Sequence, residues 1–314
     1  MLMLTVKNLD LQAQEYAMQN AIDFLLDNYV LILQQIDASD LTIKKYLSDV
    51  KLFTDFLKTE GLSVVTYRNY KKHLKALQSI STKTKNGKLI SAKVLLKELF
   101  AKGFLKIDIT ANVKGFKISQ EHVRDGLNAE EVKRSKEVID NIQNPEKRTK
   151  LQAMFYLLAF QGLRQFEMAA LTIEDLKLAD DFIFVTGKGR DDKERIDLHP
   201  KTKEALKGYL ESSGKKSGHL FTSESNNSKA KAEAISTRAL RMIFSDIFKA
   251  AHIENRSLHG FRHFFVTTFL EVLNGDMLTT QKFSRHKSVQ AVKMYDDRMK
   301  KKDLLPTFYK AFNV

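Results

Sequence analysis

The sequence contains no cysteine and very little proline or glycine. Without cysteine, disulfide bonds, thiolate zinc sites and cysteine nucleophiles are excluded. With only 3 Pro and 13 Gly in 314 residues, helix-breaking residues are scarce, which favours a mainly helical fold. No uninterrupted apolar run approaches the roughly 20 residues of a membrane span, and the N-terminus lacks the pattern of a signal peptide. We therefore expect a cytoplasmic protein with no membrane partner.

Positive charge is in excess and is unevenly distributed. The chain carries 52 Lys and Arg against 38 Asp and Glu, a net charge of +14. The net charge is −5 over residues 1–40, +12 over residues 41–120 and +7 over residues 121–314. Such an excess favours a polyanionic partner, because lysine and arginine release the counterions condensed on phosphates. On charge alone, solvated lysine-rich helix faces are an equally good interpretation.

Apolar residues recur at helical spacing along the first third of the chain. This period predicts a helix over 12–36, a second from Asp40 to Gly61, and a third over 65–79. A polar basic stretch at 81–88 is expected to lead into a fourth helix that stops at Gly103. These helices predict a small helical domain with basic faces.

The pattern changes in the rest of the chain. Asn128 followed by Glu131 predicts a capping box at the start of a helix. Two short β-type runs around a Gly-Lys-Gly turn predict a β-hairpin, and the Ser-, Lys- and Asn-rich residues 212–232 predict a mobile loop. The other predicted elements are a helix over 147–161 that ends at Gly162, helices over 236–251 and 259–273, and two short helices through Tyr295.

The predicted fold class is α+β, mainly α with a small β-hairpin or sheet. A stretch with no clear period separates the two predicted domains and is taken as a linker. The expected parts are an acidic helical extension at 1–40, a helical domain at 41–118, the linker at 119–126, a mixed domain at 127–300 and a tail at 301–314.

Four separated segments carry residues with chemical potential. They are Gly162-Leu-Arg-Gln-Phe-Glu167, Thr186-Gly-Lys-Gly189, His259-Gly-Phe-Arg262-His263, and His286 with Tyr295 nine residues later. Each alone has an ordinary explanation, such as a solvated arginine at a helix end or a core tyrosine. His259 and His263 have the i,i+4 spacing of a zinc site, but Gly260 stands where a zinc protease needs its glutamate. No metal is therefore expected.

Taken together and in this order, the segments resemble the tyrosine recombinase (phage integrase) family, closest to its compact Xer-like members. The family has a Gly-Leu-Arg-x-x-Glu box, a Gly-Lys-Gly hairpin, a His-x-x-Arg box, then a His and a Tyr nine residues on. The resemblance implies that 127–300 is a catalytic domain of the DNA breaking-rejoining type and that 41–118 is a SAM-like core-binding domain. The matching positions are Arg164, Lys188, His259, Arg262, His286 and Tyr295, with Glu167 and His263 also in place.

The resemblance implies that Tyr295 attacks a DNA phosphodiester and forms a 3′-phosphotyrosyl intermediate without metal, ATP or another cofactor. Arg164 and Arg262 would hold the non-bridging oxygens through charge-assisted hydrogen bonds. His286 would donate a hydrogen bond to the phosphate, and His259 is a candidate base. Nearby cations are expected to lower the pKa of the phenol.

Two departures from the family pattern lie near this site. Lys188 is expected to protonate the leaving 5′-oxygen, but the hairpin is slightly longer than usual, so Lys193 is an alternative. We favour Lys188 because it occupies the Gly-Lys-Gly tip. Family members usually have Leu-Gly before the last His, whereas Phe283-Ser-Arg285 precedes His286 here. The turn that aims His286 is therefore the part of the site that the sequence defines least.

The expected partner is double-stranded DNA with paired inverted recombination half-sites. We expect a homotetramer on two DNA sites and a monomer or dimer off DNA, with the tail docking on its own domain or on a neighbouring subunit. Two alternative functions are a type IB DNA topoisomerase and a catalytically silent DNA-binding relative. The candidate DNA-binding residues are Lys44, Lys45, Lys83, Lys85 and Lys88.

Overall fold

The computed structural model describes residues 20, 23–24, 26–36, 38–118, 126–187, 192–223 and 233–295. Helices predominate among these residues, which also contain one three-stranded sheet, so the predicted fold class is confirmed. The chain divides into two compact units, Met1–Ser119 and Gln120–Val314. Outside the described residues lie most of the predicted linker, the predicted tail and residues 1–19 of the predicted acidic extension.

The described part of the first unit consists of helices and their connections. The helix over Asp40–Glu60 ends at Gly61 as expected, with a φ of +69° that favours glycine. The basic stretch at 81–88 does not precede a helix but forms its first turns, because the Ser81 hydroxyl accepts a hydrogen bond from the Thr84 amide and caps the helix there. The helices are α1 (Tyr29–Gln35), α2 (Asp40–Glu60), α3 (Thr66–Ala76) and α4 (Thr82–Ala101).

Buried tyrosines tie the helices of this unit together. The hydroxyl of Tyr29 donates to the carbonyl of Ser91, and that of Tyr67 donates to the carbonyl of Leu89, each at 3.0 Å. Both acceptors lie on α4, whereas the donors come from α1 and α3. Burial raises the pKa of both phenols, which therefore stay protonated and keep their hydrogen bonds.

The second unit combines helices with the small sheet. The capping box of Asn128 and Glu131 is confirmed at the start of the helix over Ala129–Asp140. The sheet is antiparallel, its strands follow one another in chain order, and its first strand, Leu176–Lys177, was not predicted from the sequence. The elements are α5 (Ala129–Asp140), α6 (Pro145–Ala159), α7 (Gln165–Ala170), a 3-10 turn (Ile173–Asp175), β1 (Leu176–Lys177), β2 (Phe182–Thr186), β3 (Lys193–Asp197), α8 (Pro200–Ser213), α9 (Thr237–Ala250), α10 (His259–Val272), α11 (Met277–Ser284) and α12 (Val289–Lys293).

The segment 212–232, predicted to be a mobile loop, is partly a core segment. Leu220 and Phe221 are fully buried, and the amide of Leu220 donates to the carbonyl of Leu171 at 2.9 Å. The prediction was wrong for these residues because two apolar side chains inside a polar run suffice to fill a gap in the core. Residues 224–232 lie outside the described part of the chain.

The aromatic core of the second unit anchors α10. Phe261 is fully buried and contacts the rings of Phe155 on α6 and Phe244 on α9, each at a centroid distance of 5.5 Å. Because Arg262 follows Phe261 on the same helix, fixing one side chain in the core also fixes the direction of the other.

Within the described ranges, none of the helices combines the length and apolar character that crossing a bilayer requires. These same residues contain no group of three or more His, Asp or Glu side chains placed to hold a metal ion.

Candidate active site

The turn after α6 supplies a backbone acceptor at the centre of the site. Gly162 has a φ of +58°, and a Cβ atom there would lie 2.5 Å from Cδ1 of Phe265, so both the backbone and the available space require glycine. Its carbonyl oxygen accepts hydrogen bonds from Nη1 of Arg262 at 2.6 Å and from Nη2 of Arg285 at 3.4 Å. Two guanidinium groups therefore meet at one backbone oxygen.

Arg164 is held by Glu167, which lies on the first turn of α7. The backbone N–H of Arg164 donates to Oε2 of Glu167 at 2.8 Å, and its Nη1 pairs with Oε1 at 2.7 Å. Glu167 is 1% exposed, whereas the Arg164 side chain is 29% exposed. The buried carboxylate thus orients the guanidinium and leaves part of it accessible to a ligand.

Arg262 is almost completely buried, with 1% of its surface exposed. Its Nη2 donates to the Ser284 carbonyl and lies 3.5 Å from Nε2 of His286. Burial, followed by the positive charges of Arg164 and Arg285, lowers the pKa of Arg262 to about 10. Arg262 therefore remains a cation at neutral pH.

Arg285 forms the turn that leads to His286. It ends α11 in the left-handed conformation, with φ of +56° and ψ of +40°. The amides of Arg285 and His286 donate back to the carbonyls of Lys282 and Gln281 at 3.4 and 3.3 Å. This is the Schellman pattern of a helix end, in which glycine is the usual residue. The Arg285 side chain is 4% exposed and pairs with Oε2 of Glu167 at 3.0 Å.

His286 is partly buried among cations. Its Nδ1 lies 2.7 Å from the hydroxyl oxygen of Ser284. Burial, followed by the charges of Arg262 and Arg164, lowers the pKa of His286 to about 4. The ring is therefore neutral at physiological pH, with one nitrogen that donates a hydrogen bond and one that accepts.

Tyr295 is 7% exposed, and its ring lies beside two histidines. The ring centroids are 5.0 Å from that of His263 and 5.3 Å from that of His286. Burial raises the pKa of Tyr295, and the charges of Arg262 and Arg164 offset part of that rise. The cations lower the phenol pKa as expected, but burial, which the sequence does not reveal, outweighs them and the net shift is upward.

The other two predicted catalytic residues are His259 and Lys188. His259 begins α10 and is exposed. Lys188 lies outside the described residues. Lys193, the alternative proton donor, forms an ion pair with the buried carboxylate of Asp175. That pairing engages Lys193 at the base of the hairpin and favours Lys188 for the role.

Three of the five predicted DNA-binding lysines are engaged within the first unit. Lys45 and Lys88 pair with the buried carboxylate of Asp49 at 2.6 and 3.1 Å. Lys85 donates to a backbone carbonyl of α3 at 3.1 Å. Lys44 and Lys83 are exposed, and Lys45 remains 56% exposed despite its ion pair.

Two polar residues around the site escaped sequence analysis. Ser284 contacts His286 through its hydroxyl, and its carbonyl accepts from a guanidinium 22 positions away in the chain. Asp175 anchors the hairpin through Lys193, 18 positions away. Neither residue belongs to a recognisable motif, and only the folded chain brings their partners to them.

The chain matches the phage integrase family over residues 127–302, more than half of its length, and therefore belongs to that family. It is 28% identical to the tyrosine recombinase XerC of Oceanobacillus iheyensis over 88% of this chain and 92% of that protein. Its activity is that of a tyrosine site-specific recombinase, in agreement with the resemblance seen in the sequence.

Solved structures share the fold. A XerH site-specific recombinase bound to palindromic difH substrate, in a post-cleavage complex, has a TM-score of 0.68 and 21% identity, covering 86% of this chain and 80% of that chain. A lambda integrase tetramer bound to a Holliday junction has a TM-score of 0.65 and 18% identity, covering 87% of this chain and 76% of that chain.

Proposed function

We propose that Tyr295 is the nucleophile of DNA strand cleavage and that Arg164 and Arg262 hold the scissile phosphate. The observation that carries this assignment is the meeting of a buried phenol, a neutral imidazole and two guanidinium groups in one site. The ring of Tyr295 lies 5.3 Å from that of His286, and Nη2 of Arg262 lies 3.5 Å from Nε2 of His286. A phosphate bound in this site would have the guanidinium donors and the phenol of Tyr295 close to it.

The cleavage step is a transesterification. The phenol oxygen of Tyr295 bonds to phosphorus while the bond from phosphorus to the 5′-oxygen breaks. The phenol proton passes to a base, for which His259 is our candidate, and Lys188 supplies a proton to the leaving 5′-oxygen. The products are a 3′-phosphotyrosyl bond and a 5′-hydroxyl. Because one ester replaces another, a second 5′-hydroxyl can reverse the step without ATP.

The two guanidinium groups and His286 act on the charge that develops during this step. Arg164 and Arg262 donate to the non-bridging oxygens, which carry the growing negative charge of the transition state. His286 donates from Nε2 in the tautomer whose Nδ1 accepts the Ser284 hydroxyl, at the 2.7 Å separation of those atoms. The raised pKa of Tyr295 keeps the phenol protonated until the base removes its proton.

The DNA partner and the assembly are proposed by analogy with other members of the family. We propose double-stranded DNA with paired inverted half-sites as the substrate, with the first unit as a core-binding domain. A homotetramer on two sites is the working assembly, with monomer or dimer off DNA. The palindromic DNA of the XerH complex and the tetramer of the lambda integrase complex support this, as does the net charge of +12 over residues 41–120. We expect the protein to act on this DNA in the cytoplasm.

Trapping of a covalent adduct tests the nucleophile. The protein is incubated with sheared DNA of its source cell, and DNA bound covalently to protein is recovered after denaturation and sequenced. The mapped site is then made as a duplex with a nick beside the cleavage position, so that the short 5′-hydroxyl fragment leaves and the adduct accumulates. The parent protein is expected to form this adduct, and Tyr295→Phe is expected to form none.

Tyr156→Phe is the matched control, because it also removes a hydroxyl from a partly buried ring of the second unit; it should retain the adduct. An adduct formed by Tyr295→Phe at the parental level would refute the nucleophile assignment. Relaxation of supercoiled plasmid without any preferred cleavage site would instead favour the topoisomerase alternative.

A further inference from the structure

Arg285 stands at a position where the backbone favours glycine. Its φ of +56° is in the left-handed region, and the helix-ending hydrogen bonds around it need no side chain. An arginine there strains the backbone that a glycine would leave relaxed. The turn alone therefore gives no reason for the arginine, and the role of its side chain must be sought in the contacts of the guanidinium.

The Arg285 guanidinium connects the supports of the other two arginines. Its Nη2 pairs with Oε2 of Glu167 at 3.0 Å, the carboxylate that also holds Arg164. The same Nη2 lies 3.4 Å from the Gly162 carbonyl, to which Arg262 donates at 2.6 Å. In return, Nη2 of Arg164 points to the carbonyl of Arg285 at 3.3 Å. Arg285 thus links the supports of Arg164 and Arg262, the two residues of the proposed phosphate clamp.

Competition for Glu167 decides how Arg164 is presented. A carboxylate with both oxygens available to one guanidinium tends to pair with it through two parallel hydrogen bonds. Here Oε2 is occupied by Arg285 and by the Arg164 backbone amide, so the Arg164 guanidinium pairs with Oε1 through Nη1. This arrangement leaves other N–H groups of Arg164 available to a phosphate.

The charge of Arg285 also favours strand cleavage, because it raises the net positive charge of the cluster. Three guanidinium groups and one carboxylate leave this cluster with a net charge of +2. With glycine in place of Arg285, one cation and one carboxylate would neutralise each other and only Arg262 would remain. A transition state with growing negative charge is stabilised more by the larger fixed charge.

We propose that Arg285 is a positioning residue for strand cleavage. By occupying Oε2 of Glu167, it prevents the Arg164 guanidinium from pairing with both carboxylate oxygens, so that Arg164 keeps N–H groups directed to the phosphate. This inference rests on the proposed roles of Arg164 and Tyr295. It assigns no contact with DNA to Arg285, whose side chain is 4% exposed.

The test compares Arg285→Gly and Arg285→Lys with the parent on the mapped nicked duplex. Single-turnover adduct formation is measured at saturating DNA, and DNA affinity is measured separately. We expect Arg285→Gly to slow adduct formation by about 10- to 100-fold, the scale of a small misplacement of a catalytic group, with affinity changed less than about twofold because Arg285 is buried. Arg285→Lys should restore part of the rate, since lysine still occupies Oε2.

Asn274→Gly is the matched control, because Asn274 is an exposed residue with φ of +51° in the turn after α10, and its backbone amide bonds to Glu271 within that turn. It should match the parent in rate. A double-mutant cycle adds Glu167→Gln: if Arg285 acts through Glu167, the loss caused by Arg285→Gly should shrink at least about threefold in the Glu167→Gln background.

A parental rate for Arg285→Gly, or additive losses in the cycle, would overturn the inference and leave the proposed function intact. An adduct absent from the parent itself would overturn both. A folded Arg285→Gly protein is expected, since glycine relaxes the left-handed turn, and its thermal unfolding is recorded alongside.

Discussion

Two buried carboxylates, one in each unit, hold pairs of cations, and the cations differ in kind. In the first unit, Asp49 lies between two lysines of α2 and α4, at 2.6 and 3.1 Å. In the second unit, Glu167 lies between Arg164 and Arg285, at 2.7 and 3.0 Å. The carboxylates are similarly buried, 7% and 1% exposed. Because the geometry is alike, the two clusters differ mainly in the chemistry of their cations.

An ammonium group and a guanidinium group respond differently to a carboxylate partner. The ammonium is a compact, strongly hydrated point charge, whereas the planar guanidinium has five N–H donors and can offer one edge to a carboxylate and another to a phosphate. We therefore expect the Asp49 pairing to make Lys88 and the partly exposed Lys45 less available to DNA. Glu167, by contrast, is expected to orient Arg164 for the phosphate. We expect the arginines to control the rate of cleavage and the exposed lysines to control DNA affinity.

Replacement of a buried guanidinium should give the largest effect. Arg262→Lys keeps the charge but loses the fork that reaches Gly162, Ser284 and the phosphate. We expect single-turnover adduct formation on the mapped duplex to fall about 100- to 1000-fold, as for the loss of one donor to a developing oxyanion.

The first unit provides the control for this substitution. Lys45→Arg changes a cation on Asp49 in the opposite chemical direction, and its side chain is 56% exposed. We expect it to change the rate less than about twofold, because exposed ion pairs contribute little. If Arg262→Lys and Lys45→Arg reduced the rate of adduct formation equally, the arginines of the second unit would not differ from the lysines of the first in their effect on cleavage.

Burial, together with the cations around the ring, should also make stability depend on the charge of His286. Its pKa is lowered from 6.5 to about 4 in the folded chain, so the unfolded chain binds the proton first as the pH falls. The free energy of unfolding should therefore drop between about pH 6.5 and 4, by about 2 kcal/mol from pH 7.5 to pH 5. Above pH 7.5 the ring is neutral in both states and contributes no pH dependence.

Urea unfolding of the parent and of His286→Gln at pH 7.5 and pH 5 isolates this term, because glutamine does not titrate. The parent should lose about 2 kcal/mol more than the variant. Equal losses would mean that His286 accepts a proton in the folded chain near its ordinary pKa. A proton NMR titration of the His286 ring measures its pKa in the folded chain directly.

The order of the motifs was sufficient to predict which distant residues come together in the fold. Arg164, Arg262, His286 and Tyr295, widely separated in the chain, were expected to lie in one site, and they do. Helix ends set by local chemistry, such as the capping box at Asn128, were also predictable, because the partners are a few residues apart.

Features that depend on distant partners were not predictable. The turn at Arg285 was uncertain because the carboxylate that holds its side chain is 118 residues away in the chain. The pKa of Tyr295 was expected to fall, but burial, which only the fold determines, raises it. Phe221 was assigned to a loop because its neighbours are polar, although its own side chain fills the core.

The smallest expected effect concerns the lysines of the first unit. Lys44→Ala and Lys83→Ala each remove an exposed cation. Each should therefore reduce the magnitude of the slope of log affinity against log salt by about 0.9 and leave the cleavage rate at saturating DNA unchanged. Lys88→Met should lower the slope less, because Asp49 already neutralises the ammonium at 3.1 Å. Fluorescence anisotropy titrations with the mapped duplex at several salt concentrations measure the slope. If Lys88→Met reduced the salt slope as much as Lys44→Ala, the ion pair of Lys88 with Asp49 would have to open when DNA binds. Asp49 would then leave its lysine available to DNA, much as Glu167 is proposed to leave Arg164 available to the phosphate.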